Sequence, residues 1–598
     1  MCGICGIVRF SDHDVSVQSI ETMMKIMASR GPDARGMLVQ GNTGLGHRRL
    51  KVFDLSEKSQ QPMTDSELGL SAVYNGAIYN YKKIRKELEA KGYRFFSDGD
   101  TEVLLKAYHA WGKKALNRIN GMFAFAIRHR DSGRMVLGRD RLGIKPLYYT
   151  MKADHFSFAS SLPALVKAEE TEEGTKQELD PVALHFYMSF HSIVPPPRTI
   201  FKDIRKLPPA TIMTLEADGS VSEEKYWQLD FLRDSEEEKY SREDWKERIR
   251  YELEGAVQRR LTGDVPVGVL LSGGLDSSLL VGLLAQAGQT GLNTFSIGFE
   301  GVKSGEEYEK GDEFEYSDII ARHFGTQHHK IRVDSGEVLS SLENCVRAMS
   351  EPMVSHDCIG FYLLSREVSR HLKVVQSGQG ADEVFAGYHW YPPLMQSKNP
   401  AEDYARVFTD GPHGEFAHAV HPRYVSQDYS RKFIQEHFAG PGADTAIDKA
   451  LRMDTTVMLI DDPVKRVDNM TMAWGLEARV PFLDHCLVEC AAKVPAEYKI
   501  REGGKYILKA IGRDVIPSEV IDRPKGYFPV PVLKYFRGPY LDFVREILRS
   551  PAVREREIFK REYVSRVLEN PDAHITPLRG SRLWQMAVLE YWLSIHQI

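Results

Sequence analysis

Val265–Leu271 is a continuous apolar run that passes into Ser272-Gly-Gly-Leu-Asp-Ser-Ser278 and on into an apolar helical stretch, Ser277–Ala287. A run apolar on both faces predicts a strand buried on both sides, and that fixes the kind of sheet it belongs to. Further runs at Thr294–Phe299 and Lys373–Gln376 resume the strand–helix alternation. The pattern predicts an α/β doubly wound parallel sheet, followed by mostly helical text from about residue 400. In the turn itself, adjacent glycines let backbone approach an anion closely, and the first N–H groups of the helix point at it. Ser272, Ser277 and Ser278 add hydroxyl donors, and Asp276 offers a carboxylate to a phosphate-bound Mg²⁺. The Gly-Lys-Ser/Thr of a Walker loop is absent, so this is a different phosphate cradle.

The first 230 or so residues have another character. Short strands at Met37–Val39, Ser71–Tyr74, Phe123–Ile127, Met135–Gly138 and Phe156–Ala159 are bounded by Gly, Asp, Asn and Ser. Two helices interrupt them: Ile20–Ala28, with Ile20, Met23, Met24 and Met27 on one face, and Tyr81–Ala90, with Ile84 and Leu88 inward. This half therefore predicts α+β layers. The charged connector 232–244 lacks core-forming residues, and a helix over 242–261 follows, with Ser241 and Asp244 in capping-box spacing. A chain of 598 residues allows about four domains at roughly 150 residues each; the motif order needs only two, meeting near residue 235.

Composition excludes several classes. Lys and Arg total 78 against 83 Asp and Glu, so the basic face of a nucleic-acid binder or tRNA-modifying enzyme is not expected. No apolar run is long enough to span a membrane, and MCGICGIVRF lacks the basic segment of a secretory signal. Six scattered cysteines fit a reducing cytoplasm better than a disulfide scaffold. Cys2 and Cys5 form a Cys-x-x-Cys pair, but no second ligand pair lies at zinc-finger spacing nearby. His328 and His329 point to opposite faces of a strand, which favours structural roles over a metal pair.

Cys2 follows Met1 directly. Removal of Met1 leaves a thiol and an α-amine on one residue, and an amine of pKa about 7.7–8.0 can accept the thiol proton. Four strings follow in order: Arg30-Gly-Pro-Asp33, Gly46-His-Arg-Arg-Leu50, Asn75-Gly-Ala-Ile-Tyr-Asn80 and Gly99-Asp-Thr-Glu102. Asn75 offers an amide donor and Gly76 an open backbone N–H, a pairing suited to an oxyanion hole. Arg49 suits an α-carboxylate and Asp100 an α-ammonium. Taken singly, each is an ordinary turn or surface residue. Together with Gly138-Arg-Asp-Arg-Leu-Gly-Ile-Lys-Pro-Leu147 they resemble the class II glutamine amidotransferase domain, an N-terminal-nucleophile αββα sandwich. The resemblance implies that Cys2 attacks the glutamine side-chain amide, forms a thioester and releases ammonia. It places glutamine among Arg49, Leu50, Lys51, Val52, Phe53, Asn75, Gly76, Ala77 and Asp100. Ala77 is a departure, since the family usually carries Glu there.

The SGGLDSS string resembles the signature of ATP pyrophosphatases, which split ATP between the α and β phosphates. That resemblance assigns ATP to Leu271, Ser272, Gly273, Gly274, Leu275, Asp276, Ser277, Ser278, Ile297, Ser377 and Gly378. Asp276 and Asp382 are the expected Mg²⁺ ligands. Lys505 is expected to neutralise charge developing during the reaction, and Arg479 to hold phosphate or an acceptor carboxylate. Amidotransferase followed by pyrophosphatase resembles the glutamine-hydrolysing asparagine synthetase family over essentially the whole chain. The expected division is a glutaminase domain over 2–215, a linker over 216–244 and a synthetase domain over 245–598.

Two departures bear on the acceptor. Asparagine synthetases typically carry Ser-Gly-Glu-Gly where this chain has Ser377-Gly-Gln379-Gly. That Glu is tied to the aspartyl adenylate, and a neutral Gln379 suits an acceptor with no ammonium beside its carboxylate. Glu351–Cys358, Gln376–Pro393 and the Ala77 string are similar to the N-acetylglutaminylglutamine amidotransferase branch, which amidates the C-terminal carboxylate of an acylated dipeptide that accumulates as an osmoprotectant. Asparagine synthetase is the alternative. The implied partners are small molecules (glutamine, ATP and a carboxylate acceptor), with Mg²⁺, without nucleic acid or membrane, and a homodimer is the assembly considered.

Overall fold

The computed structural model describes the chain apart from residues 1, 12, 175, 301, 305–306, 310–313, 524–532, 534–535 and 579. Met1, on whose removal the Cys2 α-amine depends, lies outside the described residues. Alternating apolar residues in the first half build two antiparallel sheets. Their strands are Gly3–Arg9 (β1), Ala34–Gln40 (β2), Thr43–Arg49 (β3), Met63–Asp65 (β4), Leu70–Ile78 (β5) and Gly121–His129 (β6). Met135–Arg139 (β7), Tyr148–Met151 (β8), His155–Ala159 (β9), Ile204–Lys206 (β10), Thr211–Leu215 (β11) and Val221–Lys225 (β12) complete them. One sheet runs β10-β8-β9-β1-β3-β2 and the other β12-β11-β7-β6-β5-β4.

Strand β1 shows how the layers form. Ile4 and Val8 face the second sheet, joining Val73, Ala124, Leu137 and Phe158 in the core between the sheets. Cys5 and Ile7 face the other way, onto Ile20, Met23, Met24 and Met27. The methionine face predicted for the first helix, observed at Val17–Ile26, is thus core packing. The helices Tyr81–Glu89 and Asp100–Trp111 lie beyond the second sheet, giving the αββα order.

The second sheet outruns the expected boundary at 215. Glu216 N bonds to Ser220 O across a turn with Gly219 at φ 85°, and β12 folds back on β11 from Leu215–Val221 to Thr211–Lys225. An Asp-Gly hairpin turn was the overlooked signal. The connector then passes into the helix Arg242–Arg259, whose Ser241–Asp244 capping box forms as predicted.

The second half is built on five parallel strands: Val267–Leu270 (β13), Asn293–Phe299 (β14), Gln327–Val333 (β15), Val374–Gln376 (β16) and Glu477–Arg479 (β17). Their order is β15-β14-β13-β16-β17. Chain direction across the sheet therefore reverses between β13 and β16, and ligands of such sheets bind at the carboxyl ends of the strands flanking that reversal. Those two ends carry the SGGLDSS and Ser377-Gly-Gln-Gly strings. His328 bonds to Thr294 and Ser296, while His329 stacks on Phe295 with ring centroids 4.7 Å apart. Among the described residues, no helix is long and apolar enough to cross a membrane.

Candidate functional site

Cys2 stands one residue ahead of the first ladder pair, Gly3–Arg48, so side chains hold it. Its nitrogen donates to Asn75 Oδ1 at 2.9 Å, and its carbonyl accepts from Arg30 Nε at 3.2 Å. Burial pushes the thiol pKa up, and the Leu50 backbone N–H and the Arg49 charge oppose that rise. The nitrogen held by Asn75 becomes the α-amine once Met1 is gone, which places the base on the nucleophile's own residue.

Asn75 Nδ2 is buried and has no partner among the described residues. A buried donor left open beside a nucleophile is what an oxyanion hole requires. Gly76 is glycine for packing as well: a Cβ there would sit 2.3 Å from Met122 O. Leu50, Val52 and Phe53 are buried in the wall that follows β3, and Lys51 N bonds to Asp33. Ala77 is fully buried. Arg49 differs from expectation. Its two Nη atoms donate to the carbonyls of Ser56, Phe53 and Asp54, so three of its five N–H groups shape the loop.

Asp100 Oδ2 accepts from Tyr74 Oη at 2.9 Å and Ile78 N at 3.0 Å. Burial raises its pKa to about 6. The carboxylate that would hold an ammonium is thus present above pH 6 and lost below it. The kcat/KM for glutamine is expected to fall about tenfold per pH unit below that point. Asp100→Asn should give a lower, flat profile over the same range; an unchanged acid limb in the variant would exclude Asp100 as its source.

The second cavity, about 460 Å³, opens at the reversal of the parallel sheet. Leu271, Ser272, Gly274, Leu275, Asp276, Ser277, Ile297, Ser377, Gly378, Gln379 and Asp382 line it. Gly274 caps the helix Leu275–Gln286, so the first turn faces the cavity. Ser272 Oγ and Ser277 Oγ are 3.1 Å apart and brace the loop.

Three expected residues do not reach the cavity. Gly273 (φ 75°) is tight against the backbone of Ser317, 2.6 Å from where a Cβ would be, so packing explains it. Ser278 is wholly buried, one residue or about 100° round the helix from Ser277. Arg479 is also wholly buried. Its Nε donates to Glu477 at 2.6 Å and its Nη1 to the carbonyls of Arg260 and Thr262. The guanidinium lies 5.5 Å from the Phe53 ring, on the face of the sheet toward the first half. Arg479 therefore lies between the halves, outside the lining of this cavity.

Lys505 lies at the centre of the charge. Its Nζ is 2.6 Å from Asp276 Oδ2 and 2.9 Å from Asp382 Oδ2, and the two carboxylates raise its pKa despite burial. Gly387 makes room for it, since a Cβ there would meet Lys505 Cε at 2.3 Å and Asp382 Oδ1 at 2.0 Å. Sequence reasoning missed the apolar wall of Phe295, Phe299, Phe361 and Leu364, and the polar end at Asp357, Glu383 and Tyr388. Glu383 accepts from Tyr388 Oη at 2.5 Å; burial and adjacent Asp382 raise its pKa to about 7.

The fold and the two sites define an N-terminal-nucleophile amidotransferase joined to an ATP-using parallel-sheet domain. Comparison with known proteins agrees. Residues 248–594 match the asparagine synthase family and residues 1–227 the glutamine amidotransferase domain. Asparagine synthetase (glutamine-hydrolysing) 1 of Bacillus subtilis strain 168 is 30% identical, over 100% of this chain and 97% of that one. Asparagine synthetase (glutamine-hydrolysing) 3 of the same organism is 30% identical over 88% and 87%. A solved glutamine phosphoribosylpyrophosphate amidotransferase from B. subtilis aligns with 49% of this chain and 65% of that one, at 18% identity and a TM-score of 0.30. The chain belongs to the asparagine synthase family. It is an ATP-dependent carbon–nitrogen ligase that takes its nitrogen from glutamine.

Proposed function

We propose that this enzyme converts N-acetylglutaminylglutamine to its C-terminal amide in the cytoplasm. Cys2 displaces ammonia from the glutamine amide, and water later cleaves the thioester to glutamate. In the second cavity the acceptor carboxylate attacks the α-phosphate of ATP, releasing pyrophosphate. Ammonia then attacks the acyl-adenylate, AMP leaves, and one proton is lost. Asp276 and Asp382 fit Mg²⁺ by the chemistry of their donors: two carboxylates line one cavity, each with a second oxygen beside the one paired to Lys505, and hard oxygen donors are what that ion takes. Bound there with pyrophosphate, Mg²⁺ would offset leaving-group charge.

The observation that carries the acceptor is Gln379 in the cavity wall. A neutral amide there has no charge to answer an α-ammonium, and an acylated dipeptide has none beside its C-terminal carboxylate. Amidation of aspartate is the second reading, favoured by the names of the B. subtilis relatives. Supplying glutamine, ATP and Mg²⁺ with either acceptor, and identifying products by mass spectrometry, separates the two. The dipeptide amide is expected; asparagine as the sole product would overturn the proposal.

A further inference from the structure

The helix Lys465–Met472 belongs to the second half, yet it touches the cradle of the nucleophile. Asp468, nearly fully buried, receives Arg30 Nη1 on Oδ2 at 2.8 Å and Lys145 Nζ on Oδ1 at 3.1 Å. Arg30 in turn donates Nε to the Cys2 carbonyl. A second contact fixes the same loop from the same side: a Cβ on Gly475 would lie 3.0 Å from Pro32. The helix also grips the polar end of the nucleotide cavity. Arg466 Nη1 donates to Ser355 Oγ at 2.6 Å and its Nη2 lies 3.7 Å from Asp357, which lines that cavity. Asn469 Oδ1 accepts from Ser350 N. The preceding turns, Asp454–Met458 and Ile460–Val464, are π-wound, a geometry frequent at functional sites.

We propose that Asp468 is a positioning residue for glutamine hydrolysis, supplied by the synthetase half. Through Arg30 it fixes the Cys2 backbone, and because its helix also holds Asp357 in the cavity wall, nucleophile and acceptor site share one support. The inference rests on the amidotransferase activity and not on which carboxylate accepts the nitrogen.

Asp468→Asn keeps the shape but removes the charge that orients Arg30. Glutamate release is expected to lose about 10- to 100-fold in kcat, the scale of a small misplacement of reacting groups. The KM for glutamine should move less, since the wall at 50–53 is untouched, and ammonium-dependent AMP formation should stay near wild type. Asp468→Glu, which restores the carboxylate, should recover part of the loss. It also carries the test if the Asn variant does not fold. Lys373→Ala removes an exposed ion pair to Asp33 of the same loop, 2.7 Å long, and is expected to change neither activity. Unchanged glutamate release in the folded Asp468 variants would overturn the proposal. So would a parallel fall of both activities, which marks a merely structural role.

Discussion

Cys2→Ala is expected to abolish glutamine-dependent amidation, by roughly 10⁴-fold or more, because the variant has no nucleophile for the thioester. Ammonium-dependent amidation should survive within about twofold. The separation follows from the architecture. The thiol sits at the start of β1, among Asn75, Arg30 and Leu50, while the cavity proposed for the adenylate chemistry opens at the ends of β13 and β16 in the other sheet. The change deletes one buried sulfur, at a cost on the order of 1 kcal/mol for the small cavity left, so the fold should persist. Measuring glutamate, AMP and amide product side by side, with glutamine and then with ammonium chloride, checks this. Loss of ammonium-dependent turnover along with glutamine hydrolysis would contradict the division into two sites.

Much of this was legible in the sequence because it is local. An apolar run between turn signals places β13, and the capping box places Arg242–Arg259. The apolar face of the first helix, Ile20, Met23, Met24 and Met27, packs in the core as its spacing predicts. The misassigned residues share a different cause. Motif membership does not say which neighbour on a helix faces a ligand, hence Ser278 beside Ser277. For Arg479, strand alternation gives two faces but not what covers each, and the first half covers the face this side chain takes. Arg30 shows no role from its own neighbourhood in the sequence, because its partner Asp468 lies 438 positions away. Contacts across such separations leave no periodic trace in a single chain. The same holds for Lys505, whose chemistry was expected but whose partnership with Asp276, 229 positions away, was not.

That partnership makes Lys505→Met the second large effect. The side chain reaches its place by an unusual route: Gly503 and Gly504 take φ 79° and 108°, and Lys505 itself takes φ 54°. Its N–H bonds to Phe385 O at 3.0 Å, which fastens residues 502–505 to the segment 385–387. Such a backbone costs of order 1–3 kcal/mol at each left-handed non-glycine and puts one ammonium between two carboxylates. Removing that charge from where a pentavalent phosphorus or an attacked adenylate builds negative charge should cost about 10²–10³ in rate. The loss is expected with glutamine and with ammonium alike, while glutamate release continues, so the Lys505 and Cys2 variants should be mirror images. Lys505→Arg is not a conservative rescue, because Gly387 leaves room for a slender stem but the broader guanidinium must pass Asp382. The measurement is AMP release at saturating ATP, with either nitrogen source. Wild-type AMP release in Lys505→Met would exclude the ammonium from adenylate chemistry and leave it as a structural counter-ion. Loss of glutamate release in the same variant would instead show that the two sites share more than the helix bearing Asp468.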